Sequence, residues 1–349
     1  MSGSVVAQES HLSASGGRIS VMTLLVAIAG TAGATYLAAT IAAGDGDNSP
    51  VSESRDKFQS QVAEINAGEV ATLYSSGISN SDILRISPAA RLQHVELGNA
   101  PISDEAVAAL SEVNSIRTLA LSRTQVTDAA LPGIAGLPLL ETLILNQTEV
   151  TDKGVAALSG NLTLRELRLR RTETGNGAAE TAGQIRSLRQ LSLSFTNVND
   201  AGVAALAGLS ELEELRLAGT DVTDAAMGTI AKLTSLRRLD LENTSLTDSG
   251  LEQLASLSNL ESLWVSGTQV TSDGLGKLRS LPNLQLISAA GIEGESNFVA
   301  SIIENPGPLH TIYISPGLVD ADVAESLEQQ DESLAVRVIG QDVTIDLDE

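Results

Sequence analysis

Residues 212–224, LEELRLAGTDVTD, carry the pattern that decides the fold. Leucines stand at its first, fourth and sixth positions, and Thr-x-Val-Thr-Asp follows. Copies begin every 24 residues, at Leu92, Ile116, Leu140, Leu164, Leu188, Leu212, Leu236, Leu260 and Leu284. A fixed period held over this length indicates a solenoid of stacked coils, because one such unit cannot bury its own leucines.

Each position of the pattern has a structural role. The alternation around Leu215 and Leu217 predicts a short strand whose leucines point inward. Thr220 and its equivalents are expected to hydrogen-bond the backbone of the turn that leaves the strand. The aspartates precede apolar runs with helical spacing, so we predict that their carboxylates are helix N-caps rather than catalytic groups. They are Asp104, Asp128, Asp152, Asp200, Asp224 and Asp248.

This repeat resembles that of leucine-rich repeat proteins, in the 24-residue Thr-x-Val-Thr-Asp form found in many bacterial proteins. It is also similar to the repeats that follow F-box motifs in ubiquitin-ligase adaptors, but the chain has no cysteine and no F-box-like segment, which argues against an adaptor. The resemblance covers residues 92–291. It implies an α/β fold with a curved parallel β-sheet on the concave side and short helices on the convex side, and a protein-binding function that the fold alone does not determine.

Composition excludes several classes of function. The chain has 349 residues, a formal charge of −23 and a pI of about 4.4, so neither nucleic acid nor an anionic membrane surface is an expected partner. Without cysteine there is no disulfide and no thiol catalysis. The sequence has no nucleotide-binding loop, nucleophile elbow or zinc signature, so we expect no enzyme and no cofactor. His94 and Glu96 share a strand face but have no third ligand in view, so no metal site is predicted either.

The N-terminal region predicts attachment to a membrane. Residues 1–18 are small and polar and are expected to be a disordered tail. Residues 19–43 then run for 25 positions without a charge or a proline, long enough for one transmembrane helix. The alternative is a signal peptide cleaved near Ala42 or Ala43, which would leave a secreted protein. With the anchor retained, we expect the domain to be extracytoplasmic, in a bacterial envelope.

The rest of the chain divides by composition and repeat. We predict a linker at 44–55, an N-terminal cap at 56–91, the 24-residue repeats at 92–291, and degenerate repeats with a C-terminal cap and an acidic end at 292–349. One repeat departs from the pattern: the coil from Leu164 has Gly175 and Gly177 in its turn and Ala179 and Ala182 in its helix. These small residues predict a looser convex side at this coil.

Candidate ligand-binding residues follow from strand alternation, which places every second strand residue on the concave face. Five arginines converge on the middle of that face, with Phe195 beside them: Arg168, Arg170, Arg171, Arg216 and Arg238. Arginine forks suit carboxylate or phosphate, so one interpretation is a site for an acidic protein or peptide ligand. The other is an internal ion-pair ladder, because Glu166, Glu214, Asp240 and Glu242 are neighbours.

Trp264, the single tryptophan, falls on the same face. It would be either an exposed interface anchor or a residue packed under the C-terminal cap. Three functional hypotheses remain from the sequence. They are a membrane-tethered scaffold that binds proteins through its concave face, a structural spacer of the cell envelope without a specific ligand, and, remotely, a ubiquitin-ligase-type adaptor or hidden enzyme.

Overall fold

The computed structural model describes residues 62–68, 71–74, 78–88, 90–294, 307–315 and 335–338. The predicted tail, transmembrane helix and linker lie outside these residues, as do the helix predicted from Asp320 to Gln329 and the acidic end. No helix within the described ranges is long and apolar enough to cross a membrane.

The described strands form one parallel sheet of 12 strands in chain order. They are β1 (Thr72–Tyr74), β2 (His94–Glu96), β3 (Thr118–Ala120), β4 (Thr142–Ile144), β5 (Glu166–Arg168), β6 (Gln190–Ser192), β7 (Glu214–Arg216), β8 (Arg238–Asp240), β9 (Ser262–Trp264), β10 (Leu286–Ser288), β11 (Thr311–Ile314) and β12 (Ala335–Val338). From β2 to β10 each residue pairs with the residue 24 positions further on, as His94 does with Thr118. The predicted parallel sheet is confirmed, and it includes β1, a strand from within the predicted N-terminal cap.

Short helices follow the strands. Residues 62–67 are helical (α1), and the others are α2 (Asn80–Ile83), α3 (Asp104–Leu110), α4 (Leu131–Ala135), α5 (Asp152–Val155), α6 (Asn176–Gln184), α7 (Asp200–Ala204), α8 (Asp224–Ile230), α9 (Asp248–Gln253) and α10 (Ser272–Lys277). Several coils add a single 3-10 turn: Asp128–Ala130, Ala156–Leu158, Ala205–Gly208, Leu254–Ser256 and Leu278–Ser280. The leucines of strands and helices are buried together in one core between the two layers.

The threonine column supports each turn, as predicted. In every coil from Thr124 to Thr268 the hydroxyl donates a hydrogen bond to the carbonyl three residues earlier, at 2.5 Å for Thr220 and Leu217. Most of these threonines are buried. Each hydroxyl therefore satisfies a carbonyl at the point where the strand ends and no ladder partner is available.

The aspartates do not cap their own helices, so this part of the prediction is wrong by one residue. In the coil of α8 the N-cap is Thr223, whose hydroxyl accepts from the N–H of Ala225, and Asp224 is the first helical residue. The Asp224 carboxylate instead reaches the next coil, where it accepts from the backbone N–H of Thr247 at 2.8 Å and from its hydroxyl at 2.6 Å. We call this pair of bonds the inter-coil clip.

The clip recurs along the solenoid. Aspartate and threonine are 23 residues apart in each case: Asp104–Thr127, Asp128–Thr151, Asp200–Thr223, Asp224–Thr247 and Asp248–Thr271. A glycine of the next helix packs against several of these carboxylates, and a Cβ on Gly250 would lie 2.2 Å from Asp224 Oδ1. The aspartates therefore connect neighbouring coils, which is where a solenoid obtains much of its stability.

The irregular coil from Leu164 is packed closely, so the predicted looseness is wrong. Its helix α6 has nine residues, and Ala178, Ala179 and Ala182 are fully buried. A Cβ on Gly183 would lie 2.2 Å from the carbonyl oxygen of Ala205, so the small residues allow a closer approach of the next coil. Gly175 has no hydroxyl for the clip, and the Asp152 carboxylate accepts from three backbone N–H groups of this turn instead.

Candidate functional site

The sheet face opposite the core is the candidate site, and we call it the concave face after the curvature expected of the solenoid. In each strand from β1 to β10 the central residue points into the core, as Leu167, Leu191 and Leu215 do, and its two neighbours point to the concave face. Parallel pairing aligns Arg168 with Ser192, and Ser192 with Arg216. Arg168 and Arg216 therefore lie two strands apart, about 9.6 Å at the backbone, with Ser192 of β6 between them.

Arg168, Arg216 and Arg238 form ion pairs within this face. The Nε of Arg168 lies 2.5 Å from Oε1 of Glu166 on the same strand. The buried Glu214 carboxylate accepts from Arg216 and from Arg238, with both Nε–Oε distances at 2.6 Å. A charge removed from water needs such partners, because its desolvation is otherwise uncompensated. Arg168, Arg216 and Arg238 therefore form internal ion pairs, the second of the two interpretations of the sequence. A ligand would have to bind these arginines beside their glutamate partners.

Phe195 and the two remaining arginines form an aromatic ridge just beyond the strand ends. The guanidinium carbons of Arg170 and Arg171 lie 4.6 and 4.9 Å from the centroid of the Phe195 ring, within cation–π distance. Arg170 is only 4% exposed, whereas Arg171 is exposed and Phe195 is half-buried. A Cβ on Gly219 would lie 2.5 Å from the Phe195 ring, so this ring packs on the backbone of the following coil.

The ridge is held in an uncommon backbone conformation. Phe195 has φ +55° and Arg171 has φ +54°, in the left-handed region that non-glycine residues seldom adopt. The same position in every coil has positive φ: Asn99, Arg123, Gln147, Arg171, Phe195, Gly219, Asn243, Gly267 and Gly291. Asparagine and glycine tolerate this region best, so a phenylalanine at this position has a higher conformational free energy than either of them.

Ser194 lies between Arg170 and Ala218 and was not predicted as a site residue. Its register is fixed by backbone bonds from Arg171 N–H to Ser194 O at 3.0 Å and from Phe195 N–H to Ala218 O at 2.7 Å. The residue is 1% exposed. Its hydroxyl is the only buried side-chain polar atom in the described part of the chain that has no hydrogen-bond partner. Serine carries no sequence signal for this, because a missing partner is a property of the packed structure.

Trp264 lies on the concave register, between Asp240 and Ser288 on the neighbouring strands. It is only 6% exposed, so it does not present the open indole that an exposed anchor requires. The interpretation of Trp264 as an exposed anchor is corrected for this reason.

A buried polar cluster lies beside it. Ser288 donates to Glu242 at 3.0 Å and its hydroxyl is 2.7 Å from that of Ser266. Burial raises the pKa of the Glu242 carboxyl above its ordinary value of 4.5, while hydrogen bonds from Ser266 and Ser288 act in the opposite direction.

At the N-terminal end of the same face, His94 Nδ1 lies 3.1 Å from the Thr118 hydroxyl. Burial raises the pKa of Glu96, and the nearby His94 partly opposes this shift. The described ranges contain no group of three His, Cys, Asp or Glu side chains that could hold a metal ion.

Comparisons with known proteins agree with the repeat architecture. Two leucine-rich repeat family models match, one at residues 186–246 and the other at 136–159. No curated protein sequence matches the chain. Among solved structures, the chain is similar to an internalin C2 from Listeria monocytogenes, with 27% identity, 60% of this chain and 83% of that chain covered, and a TM-score of 0.48.

It is also similar to the internalin inlF of Listeria monocytogenes, with 18% identity, 83% of this chain and 88% of that chain covered, and a TM-score of 0.49. The matched segments lie inside the run of coils that stack from β2 to β10, and the same clips and threonine bonds extend on both sides of them. The chain therefore contains leucine-rich repeats, and its coils stack as a parallel-sheet solenoid.

Proposed function

We propose that this protein is a non-enzymatic scaffold that binds a protein or peptide on the concave face between β5 and β9. The observation that carries the proposal is the aromatic ridge, in which Arg170 and Arg171 stack on a Phe195 held at positive φ. Strained residues persist only where the surrounding structure enforces them, and they concentrate at binding sites. Aromatic and arginine side chains are also the residues that most often dominate binding energy at protein interfaces.

The charge pattern favours an acidic partner segment. Five arginines meet at one place on a chain whose net charge is −23, so this patch is where such a segment would encounter least repulsion. Arg171 is the residue that can contact a partner without rearrangement, because it is exposed. Arg168, Arg216 and Arg238 would contribute while keeping their glutamate partners.

The experiment uses the full chain as bait in crosslinked affinity capture from its own cells, with Arg171→Glu as the test variant. Charge reversal at Arg168 or Arg216 would place carboxylates against Glu166 or Glu214 and disturb the fold. Arg123→Glu is the matched control, because Arg123 occupies the same left-handed position two coils away. We expect a stoichiometric partner with the wild type and with Arg123→Glu, and its loss with Arg171→Glu.

Equal capture by all three proteins would contradict a site at the ridge. If no stoichiometric partner were captured by any of them, the alternative of an acidic structural spacer would be the better account. Loss of capture in both variants would indicate a general charge effect rather than a site.

The proposal also includes a membrane tether through residues 19–43, supported by their length and lack of charge. Separation of cell membranes, followed by alkaline extraction and N-terminal sequencing of the protein, tests it. A retained N-terminus in the extracted membrane fraction supports an extracytoplasmic, anchored domain. A mature N-terminus near residue 43 in the soluble fraction would instead establish a secreted protein.

A further inference from the structure

Two serines of the β6 coil lie beneath arginine side chains on the concave face. Ser192 and Ser194 project from one coil, with Arg168 and Arg170 on one side and Arg216 and Ala218 on the other. Ser192 and Ser194 are only 2% and 1% exposed, and Arg170 and Arg216 are 4% and 9% exposed, so the longer arginine side chains cover the two serines. We call this covered site the serine notch.

The notch contains a hydrogen-bond donor that the folded chain does not use. The Ser194 hydroxyl is buried and has no partner among the described residues. Equivalent positions in other coils are satisfied: Asn146 accepts from the N–H of Arg170 at 3.0 Å, and Glu242 accepts from Ser288 at 3.0 Å. Native proteins rarely leave a buried hydroxyl unpaired, because the desolvation cost is not recovered.

We infer that Arg170 and Arg216 move aside to admit one carboxylate of an acidic peptide segment to the serine notch, where the Ser194 hydroxyl donates to it and the two guanidinium groups lie beside it. This inference rests on the proposed function and specifies its ligand chemistry. A carboxylate accepts from hydroxyl and guanidinium donors at once, and hydrogen bonds to an ionised acceptor are stronger than neutral ones. Water is largely excluded from the notch, which strengthens these bonds further.

The local charge selects a carboxylate over a phosphate. The four coils from β5 to β8 place five arginines and the carboxylates of Glu166, Glu214, Asp240 and Glu242 on or just after their strands, which leaves an excess of one positive charge when all of these groups are ionised. One excess charge matches a monoanionic carboxylate. A phosphate monoester carries about 1.5 to 2 negative charges at neutral pH, so its second charge would face the glutamates without compensation.

The test is an NMR titration of the full chain in detergent or nanodiscs with N-acetylglutamate α-amide, which offers a single side-chain carboxylate. N-acetylglutamine α-amide is the uncharged control and O-phosphoserine, protected in the same way, is the phosphate arm. We expect saturable shifts of the arginine Nε–H signals and of the Ser194 and Phe195 amides with the glutamate probe. The glutamine probe should give none, and the phosphate should bind more weakly.

Ser194→Ala is the variant that isolates the hydroxyl, and Ser122→Ala is its matched control from the same position three coils earlier. Ser194→Ala should weaken the affinity for the glutamate probe by about tenfold, which is the loss expected for one hydrogen bond to a charged acceptor. Ser122→Ala should leave this affinity unchanged. Ser194→Ala should also raise the Tm of the free protein, because it removes an unpaired buried hydroxyl. A hydroxyl with a purely structural role would not give this combination.

Absence of saturable shifts at these residues would overturn the inference, as would equal binding of the glutamine probe, tighter binding of phosphate, or unchanged affinity in Ser194→Ala. The outcome is separable from that of the proposed function. A captured partner that is lost with Arg171→Glu but retained with Ser194→Ala would support the proposed scaffold function and refute carboxylate binding in the serine notch. No partner with the wild type would refute the scaffold itself.

Discussion

The inter-coil clip gives a sharp prediction about what holds the solenoid together. In the coil of α8, the Asp224 carboxylate accepts two hydrogen bonds from Thr247 of the next coil, at 2.8 and 2.6 Å. A hydrogen bond to a charged acceptor contributes about 1.5 to 3 kcal/mol. The carboxylate is partly exposed, so the lower value applies, and two bonds give about 3 kcal/mol. We therefore expect Asp224→Ala to lower the free energy of unfolding by that amount.

Asp224→Asn should cost only about 1 kcal/mol, because the amide can replace both bonds without the charge. The chain itself contains this arrangement: Asn176 accepts from the N–H of Asn199 at 3.1 Å and donates to its side chain at 2.9 Å. Asp221→Ala is the matched control, since it removes an exposed aspartate from the same coil. Its effect should stay within about 0.5 kcal/mol.

Gly250 provides a second way to test the same bonds. An alanine there would place its Cβ 2.2 Å from Asp224 Oδ1 and displace the carboxylate from Thr247. The loss of about 3 kcal/mol would be offset by about 1 kcal/mol from the better helix propensity of alanine. Gly250→Ala should thus cost about 2 kcal/mol alone, and it should stabilise the Asp224→Ala background by about 1 kcal/mol, because only the gain in helix propensity remains there.

The measurement is urea unfolding of the full chain, followed by the fluorescence of the single, buried tryptophan and by far-UV circular dichroism. The clip would not have its assigned role if Asp224→Ala unfolded like Asp221→Ala. The same conclusion would follow if the cost of Gly250→Ala were unchanged when the Asp224 carboxylate is absent.

Two further predictions concern the concave side. Gly219→Ala should lower the free energy of unfolding more than Gly267→Ala does, although both glycines have positive φ. The new Cβ would lie 2.5 Å from the rigid Phe195 ring in the first variant, and 2.4 Å from the flexible end of the Asn243 side chain in the second. Equal shifts in the urea midpoint would contradict the packing of Phe195 on this backbone. Glu242→Gln should stabilise the protein at pH 7 but have little effect at pH 4. Because burial raises the pKa of Glu242, the stability linked to its protonated form is fully present below pH 4.5 and is lost as the pH rises through the pKa of the folded state. A gain in the free energy of unfolding that is the same at both pH values would contradict this.

Most of the fold could be predicted from the sequence because its signals repeat. The period fixed the sheet, and strand alternation placed Arg168 and Arg216 on the correct face. The role of the aspartates could not be predicted from local rules, because the usual capping pattern looks two or three residues ahead in the same helix. The true partner of Asp224 is 23 residues away in sequence and adjacent only after the coils stack.

The candidate site was less predictable, for two different reasons. The left-handed column carries a weak sequence signal. Asn99, Asn243, Gly219 and Gly267 are residue types that tolerate positive φ, but Arg123, Gln147 and Arg171 stand in the same column, so Phe195 differs from the others only as its one aromatic residue. The pairing of the charged residues carries no such signal. Whether Glu214 accepts from Arg216, Arg238 or both depends on side-chain conformations that the repeat does not fix.

The departures from the repeat are informative because the rest of the chain is so regular. In a solenoid each coil contacts only its neighbours, so an irregular coil is not required by packing elsewhere in the molecule. Gly175 replaces the clip threonine, Phe195 is the one aromatic residue in the left-handed column, and Ser194 leaves a buried hydroxyl without a partner among the described residues. All three occur in the two consecutive coils that begin at Leu164 and Leu188. These residues are not the ones that stability alone would favour at their positions. Such departures are expected where a chain carries a binding site, and here they lie together in two neighbouring coils.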